Sequence, residues 1–568
     1  MADPDNKTSQ AVVIDGAARL FSAAFRFGGA LNITRAIGTE LPLARPAGMS
    51  QQTAFEGAFA RLKEAGIDID YYWHWGGEVG HGYDDSAAGM AQFMADVESS
   101  AKAAKAVGAD FKMATCGWEL NGGFLDSHDP SHVLTALSTL DRGLGFQDTD
   151  AALQNVTQHT KWSIPWLEDD EALIGAELWV ERVVCHARKA ATLGVTGIMG
   201  IHWRTFEPSL AAKALATAAW NLTVSSADLY SDFAAAAFGP EAGPKAAAIL
   251  QSLDSFTKPG NAQSCNGQKL DSRGHPTGPA PAPRLSRAGL VCCGRWRADD
   301  GKGNPSRDQA AVPPPSAYAF ADQFMALRSA VTDPVQLSRF DAYAFMLQYH
   351  QRLAEVQRQL HALESVLGPI RNITHPAARQ AAARGDGIGA LGNFSRAYEG
   401  MLGSLLSYAT TQGELGMVAM QENMNYQAAM VHSGILDNLA NLTQRPIPKA
   451  ALPSRDYAGP ARVFVLTVRT LILLREPAVS IPIVALVPGA RQLPAAASVN
   501  WKTLGGNAWK NVSAPRTQSN RGWYSGSVPN PGADFEYFVT VAVPTIGGGG
   551  GGVLRYPAAG AVQVVIMH

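Results

Sequence analysis

Carboxylates and indoles gather in this chain where short apolar runs stop. IDYYWHWGGE closes on Glu78, FKMATCGWE on Glu119, KWSIPWLEDD on Asp170 and GIMGIHWRTFE on Glu207. Two facing carboxyl groups can split a glycosidic bond: one protonates the leaving oxygen while the other attacks the sugar or activates water. Glu78 and Glu168 are the pair expected to do this, with Asp170 as a further catalytic candidate. The acids of EDDEAL also favour a helix N-terminus, so Asp170 has a structural reading as well. Glu119, in CGWELNGG, reads more readily as a solvated loop acid. Glu40, in IGTELPL, suits a hydrogen bond to a sugar hydroxyl.

Trp73, Trp75, Trp118, Trp166 and Trp203 lie in or beside the ends of four of these runs. An indole face packs on the C–H face of a pyranose ring, and its N–H donates a hydrogen bond when buried. Strand alternation puts Trp73 and Trp75 on one side and His74 on the other. The expected substrate-binding set is Glu40, Trp73, His74, Trp75, Trp118, Trp166, His202, Trp203 and Arg204. Plain core packing is the competing role for the indoles. Arg204 either pairs bidentately with an acidic sugar or bridges helix carbonyls or one of the acids.

These residues need a scaffold that brings strand ends to one place. Strand-like runs occur near Thr34–Gly38, Ile69–Trp75, Phe111–Cys116, Trp162–Trp166 and Gly197–Trp203, with a weak one near Val133–Leu137. Amphipathic stretches lie between most of them, at Ala54–Ala65, Ala87–Val107 and Glu177–Leu193, after a helical start over residues 13–31. Strand starts roughly 25–40 residues apart fit βα units with parallel strands. The expected fold is a (β/α)8-type barrel, with an open doubly wound sheet as the alternative. Six strands are visible, so the first pair is expected to precede residue 1.

The remainder divides by pattern. The barrel is expected over residues 1–208 and a helical domain over 209–445, interrupted by a Pro/Gly-rich disordered insertion at 258–316. Helices resume at Ala317–Val331 and Val335–Val366, with two more within Ala397–Thr411 and Glu414–Leu442. From Asp456 the period changes to two, and six or seven short strands predict an Ig-like antiparallel β-sandwich over 456–568. The expected class is therefore multidomain, α/β plus all-α plus all-β.

Composition narrows the chemistry. A net charge of −2 with 17% charged residues leaves no electrostatic footprint for nucleic acid. The most apolar window, Val463–Leu474, is broken by Arg469, so no membrane span is expected. His74, Glu78 and His81 lack the helical His-Glu-x-x-His arrangement, so neither a metal nor a cofactor is expected. Gly387, Gly389 and Gly392 match a dinucleotide-binding spacing, but an Ala-rich helical stretch precedes them where a strand is needed. Neither a Gly-x-Ser-x-Gly elbow nor a phosphate-binding loop occurs. Five cysteines, an odd number, predict no metal-ligand or disulfide framework.

Eight asparagines, Asn6, Asn32, Asn155, Asn221, Asn372, Asn393, Asn441 and Asn511, begin Asn-x-Ser/Thr. They point to a secreted or extracellular protein. The start MADPDNKTSQ has neither a basic region nor an apolar one, which agrees with a chain truncated at its front.

PWLEDD with LWVER, GVTGIMGIHWRT, IGTELPL, DYYWHWGGE and DFEYFVTV together resemble microbial and algal glycoside-hydrolase-like proteins. They resemble, more distantly, the barrels of the α-glucuronidases and β-hexosaminidases. The likeness covers most of the chain outside 258–316. It implies an acid/base on the fourth barrel strand, at Glu78, and a nucleophile or second carboxylate on the seventh, at Glu168. Gly77 stands where that superfamily carries Asn. The implied partner is a carbohydrate substrate, a polysaccharide or glycan cleaved at an O-glycosidic bond. The alternatives are a non-catalytic carbohydrate-binding protein and an extracellular-matrix protein on a degenerate barrel.

Overall fold

The computed structural model describes residues 7–76, 83, 86–116, 126, 127, 129, 133–141, 156–165, 167, 178–200, 209–254, 314–409, 415–418, 421–454, 461–466, 471–474, 476–487, 493–517, 522–543, 552–557 and 560–567. After helix α1 (Lys7–Ala30) come β1 (Ala36–Glu40), α2 (Gln51–Glu64), β2 (Tyr71–Trp75), α3 (Ala87–Ala106) and β3 (Lys112–Cys116). Then follow β4 (Leu134–Asp141), β5 (Thr160–Pro165), α4 (Val180–Thr192) and β6 (Gly197–Ile198).

The repeating unit is punctuated by its own residues. Ser50 and Ser86 cap α2 and α3, their hydroxyls accepting the N–H groups of Thr53 and Gly89 at 3.1 Å. Each of α2, α3 and α4 ends the same way, at Gly66, Gly108 and Gly194, with φ of 64°, 64° and 71°. The next N–H folds back in each case, from Ile67 to Leu62, Ala109 to Ala104 and Val195 to Ala190. These are Schellman stops, which turn the chain sharply into the following strand.

The six strands form one sheet in the order β1 to β6, and every adjacent pair is parallel. An order that never reverses removes the doubly wound alternative, which needs a switch point. The sheet is curled, and among the described residues β1 and β6 do not pair with each other. All six strands fall where the apolar runs predicted them. The weak one is the longest, running to Asp141, while β6 ends at Ile198.

One face of the sheet is packed by helices. Phe55 and Phe59 of α2 meet Tyr72 of β2 edge-on, with centroids 6.0 and 4.8 Å apart. Met90, Phe93 and Val97 of α3 complete the buried layer.

Helices α5 (Ser209–Trp220), α6 (Ser226–Leu253), α7 (Ala319–Met325), α8 (Pro334–Arg371), α9 (Pro376–Ala382), α10 (Ile388–Tyr408) and α11 (Ile435–Thr443) build the next region. α6 bends at Gly239, where φ is 84° ahead of Pro240. Val180, Val183, Val184 and Ala187 of α4 belong to the same core cluster as Leu229, Phe238, Phe340, Leu347 and Leu391. The outer layer of the sheet is thus continuous with the helical core. The Pro/Gly-rich stretch lies outside the described residues up to 313.

Nine strands follow, β7 (Arg462–Val465), β8 (Leu471–Leu473), β9 (Ala478–Leu486), β10 (Ala496–Thr503), β11 (Lys510–Pro515), β12 (Trp523–Pro529), β13 (Phe535–Val543), β14 (Gly552–Tyr556) and β15 (Val562–Met567). They make a six-stranded and a three-stranded sheet. Val465, Ile481 and Val528 of the smaller share a buried cluster with Val499, Tyr537 and Val539 of the larger. The expected all-antiparallel pairing needs one correction, because β8 and β15 run parallel. A second correction concerns the cysteines: Cys185 is disulfide-bonded. Among the described residues no helix is long and apolar enough to cross a membrane.

Candidate functional site

The face of the parallel sheet turned away from α2 and α3 carries the aromatic residues of β2 that the sequence singles out. Tyr72 and His74 point toward α2 and α3, so alternation turns Tyr71, Trp73 and Trp75 to the other face. There Tyr71 of β2 meets Trp162 of β5 edge-on, with ring centroids 4.6 Å apart. β2 and β5 are separated by two strands, so this contact marks the hollow of the curl.

Two glycines make room for the indoles. Gly38 lies opposite Trp73 in the β1–β2 register, and Gly197 lies opposite Trp162 in the β5–β6 register. A Cβ on Gly38 would come within 2.3 Å of the Trp73 ring, and one on Gly197 within 2.8 Å of Trp162. Each indole is therefore laid over the neighbouring strand. Trp73 and Trp75 also touch edge-on at 5.6 Å.

Glu40, at the carboxyl end of β1, is opposite Trp75 in register and exposed. Its parity with Gly38 puts it on the indole face, so the structure brings Glu40, Trp73 and Trp75 together at one rim.

His74 departs from expectation and leaves the substrate-binding set. It is 0% exposed on the helix side. Its Nδ1–H donates to the Ala114 carbonyl at 3.1 Å, and Nε2 accepts from the Ser100 hydroxyl at 2.7 Å. Burial lowers its pKa to about 4, which keeps the ring neutral at physiological pH. A second hydroxyl–imidazole pair, Ser163 of β5 with His186 of α4, is equally buried. A serine beside a histidine suits nucleophilic catalysis only where substrate can reach it. Both pairs instead staple a strand to the helix that follows it.

Sequence reasoning missed a buried cluster of Asp126, Asp129 and His159. His159 Nδ1 lies 2.7 Å from Asp126 and Nε2 lies 3.1 Å from Asp129. Asp126 also accepts the N–H groups of Thr157, Gln158 and His159, while Asp129 accepts those of Val133 and Leu134. Burial alone would raise the pKa of Asp126, but these hydrogen bonds outweigh it and hold the group at about 2. The cluster ties the segments entering β4 and β5, at the rim opposite Glu40. A short Asp-x-x-Asp spacing just before a strand was its only signal, because the histidine is 30 residues away from Asp129.

Where α4 starts, the Asp254 carboxylate accepts the N–H of Glu181 and the hydroxyl of Tyr230, each at 3.0 Å. The buried Arg182 guanidinium lies over the Trp179 ring at 4.1 Å. Glu78, Trp118, Trp166, Glu168, Asp170, His202, Trp203 and Arg204 lie outside the described residues, as does Glu119. In sequence they follow the ends of β2, β3, β5 and β6. Among the described residues no group of acids, histidines and cysteines is arranged to hold a metal ion.

No protein family profile matches this chain, and no curated protein matches it. Among solved structures it has a weak likeness to a family 89 glycoside hydrolase from Clostridium perfringens, solved in complex with 2-acetamido-1,2-dideoxynojirmycin. The TM-score is 0.40 at 12% identity, over 73% of this chain and 48% of that one. This chain thus spans about half the length of that neighbour.

Proposed function

We propose that this chain is a glycoside-hydrolase-like protein that cleaves an O-glycosidic bond of a polysaccharide or glycan with paired carboxyl groups. The observation that carries the reading is the contact of Tyr71 with Trp162 across the hollow. It supports opposition of β2 and β5, the two strands whose downstream segments hold the candidate acids. Glu78 stands three residues beyond Trp75, and Glu168 three beyond Pro165, a tether of about 10 Å for each.

In this reading Glu78 donates its proton to the leaving glycosidic oxygen as the C1–O bond breaks. Glu168 attacks C1 or deprotonates the water that adds there. Trp73 and Trp75 offer apolar surface to a sugar ring, and Glu40 accepts from a hydroxyl. Asp170, Trp118, Trp166, His202, Trp203 and Arg204 would complete the walls.

The test is release of 4-nitrophenol from a panel of aryl glycosides, and of reducing ends from polysaccharides. Glu78→Gln is expected to cut turnover by about 10²–10⁴-fold, the size of a lost general acid. Glu40→Gln is expected to raise KM more than it lowers kcat. Undiminished turnover in Glu78→Gln, measured on a substrate the unaltered chain hydrolyses, refutes the assignment.

A further inference from the structure

Trp220, the last residue of α5, is 93% exposed. It immediately precedes Asn221-Leu222-Thr223, one of the eight Asn-x-Ser/Thr triplets. We propose that Asn221 is an N-glycan acceptor and that the first N-acetylglucosamine rests on the Trp220 indole.

The local geometry presents this asparagine outward. All three residues of the triplet are exposed, in a turn closed by the Val224 N–H on the Asn221 carbonyl at 3.3 Å. Asn221 Oδ1 is turned back into the triplet, accepting the Thr223 N–H at 3.0 Å and the Thr223 hydroxyl at 2.7 Å. The amide nitrogen lies on the other side of the same planar group and donates to none of the described residues. Arg188 of α4 fixes the turn from beneath, donating to the Leu222 and Val224 carbonyls at 2.8 and 2.7 Å.

The other described triplets are built differently. Among the described triplets, only at Asn221 does the side chain accept the hydroxyl of its own threonine. Ser395, paired with Asn393, is buried and donates to the Ala451 carbonyl. Thr443, paired with Asn441, is buried in α11 and donates to the Ala440 and Arg445 carbonyls. Asn511 donates to Asn500 across the β10–β11 pair.

The exposed indole supplies the second, independent observation. An almost fully exposed tryptophan leaves a large apolar face in water, with Leu222 also 41% exposed beside it. The C–H face of a sugar on the next residue would remove that face from solvent.

The donor is a lipid-linked oligosaccharide diphosphate, and the transfer belongs to a membrane-bound oligosaccharyltransferase. The Asn221 amide nitrogen attacks C1 of the first sugar and the N–C1 bond forms. The C1–O bond to the diphosphate breaks, the lipid diphosphate leaves, and the nitrogen passes one proton to a base of the transferase.

The experiment uses the full chain purified from the cells that make it. Removing N-glycans enzymatically in heavy-oxygen water is expected to convert Asn221 to labelled aspartate in the peptide map, and an unlabelled Asn221 overturns the site. For the contact, the glycosylated full chain is compared before and after glycan removal under native conditions. Acrylamide quenching of tryptophan emission is expected to rise on removal, and that rise is expected to vanish in Trp220→Ala. Unchanged quenching, or a rise that persists in Trp220→Ala, overturns the sugar–indole contact. Neither readout depends on hydrolytic activity.

Discussion

Single side chains here divide sharply by which face of the sheet they occupy. Tyr72 and His74 are building material, whereas Trp73 and Trp75, their direct neighbours, line the open side. The sequence predicts that alternation, but it cannot reveal that a glycine lies across from each of two indoles, because register is a property of two strands together. Gly38→Ala is expected to displace the Trp73 ring and cost about 1–3 kcal/mol in overpacking. Chemical denaturation measures the loss, and a changed near-ultraviolet tryptophan signal reports the moved ring.

The Asp126 cluster gives a prediction in pH. Its carboxyl titrates at about 2 in the folded chain, against an ordinary value of 3.8. A lowered folded pKa means that its contribution is complete above about pH 4 and is lost as pH falls toward 2. Asp126→Asn is expected to remove about 2 kcal/mol near neutral pH. It should also flatten the stability profile between about pH 4 and pH 2, as read by urea unfolding at several pH values. An unchanged acid limb would show that the cluster carries no such energy.

Secondary-structure elements were the most legible part of the sequence. Buried parallel strands read as apolar runs and the helices between them as amphipathic stretches, two of which begin at a serine cap and all three of which stop at a glycine. β4 was faint because LTALSTLD mixes hydroxyls and an acid with its apolar residues. Beyond Asp456 nine described strands stand where the pattern predicts six or seven, and β11 and β14 are the two it does not show. KNVSAP is short and exposed along most of its length, and GVLRY is short with no buried residue, so neither shows the two-residue alternation. The parallel β8–β15 pair was hidden for a different reason, since strand direction within a sheet depends on the path between strands. Gly66→Ala and Gly108→Ala test the helix stops. Each places a Cβ at a left-handed φ, for a loss of about 1–2 kcal/mol that thermal melts can resolve.

Taken as one body, the protein does not separate cleanly where its sequence pattern changes. The step from βα units to an Ala-rich helical stretch near residue 209 is plain in composition, yet α4 shares its buried valines with helices far along the chain. A fragment covering residues 1–208 would expose Val180, Val183, Val184 and Ala187. It is expected to aggregate or to melt without cooperativity, while the full chain unfolds in a sharp transition by circular dichroism. A cooperative melt from the fragment would contradict this. Of the candidate site, the sequence made the carboxylates and indoles visible as a set. Sorting His74 out of that set required the buried hydroxyl and carbonyl of Ser100 and Ala114, contributed by other elements.

The three Schellman stops all stand at one end of the sheet, where helices hand the chain to strands through links of nearly uniform length. The connections leaving the strands are longer and differ from one another. Selection can therefore rewrite, lengthen or replace the exits while the entrances hold the frame in tolerance, which makes the exits the natural place to graft new specificity.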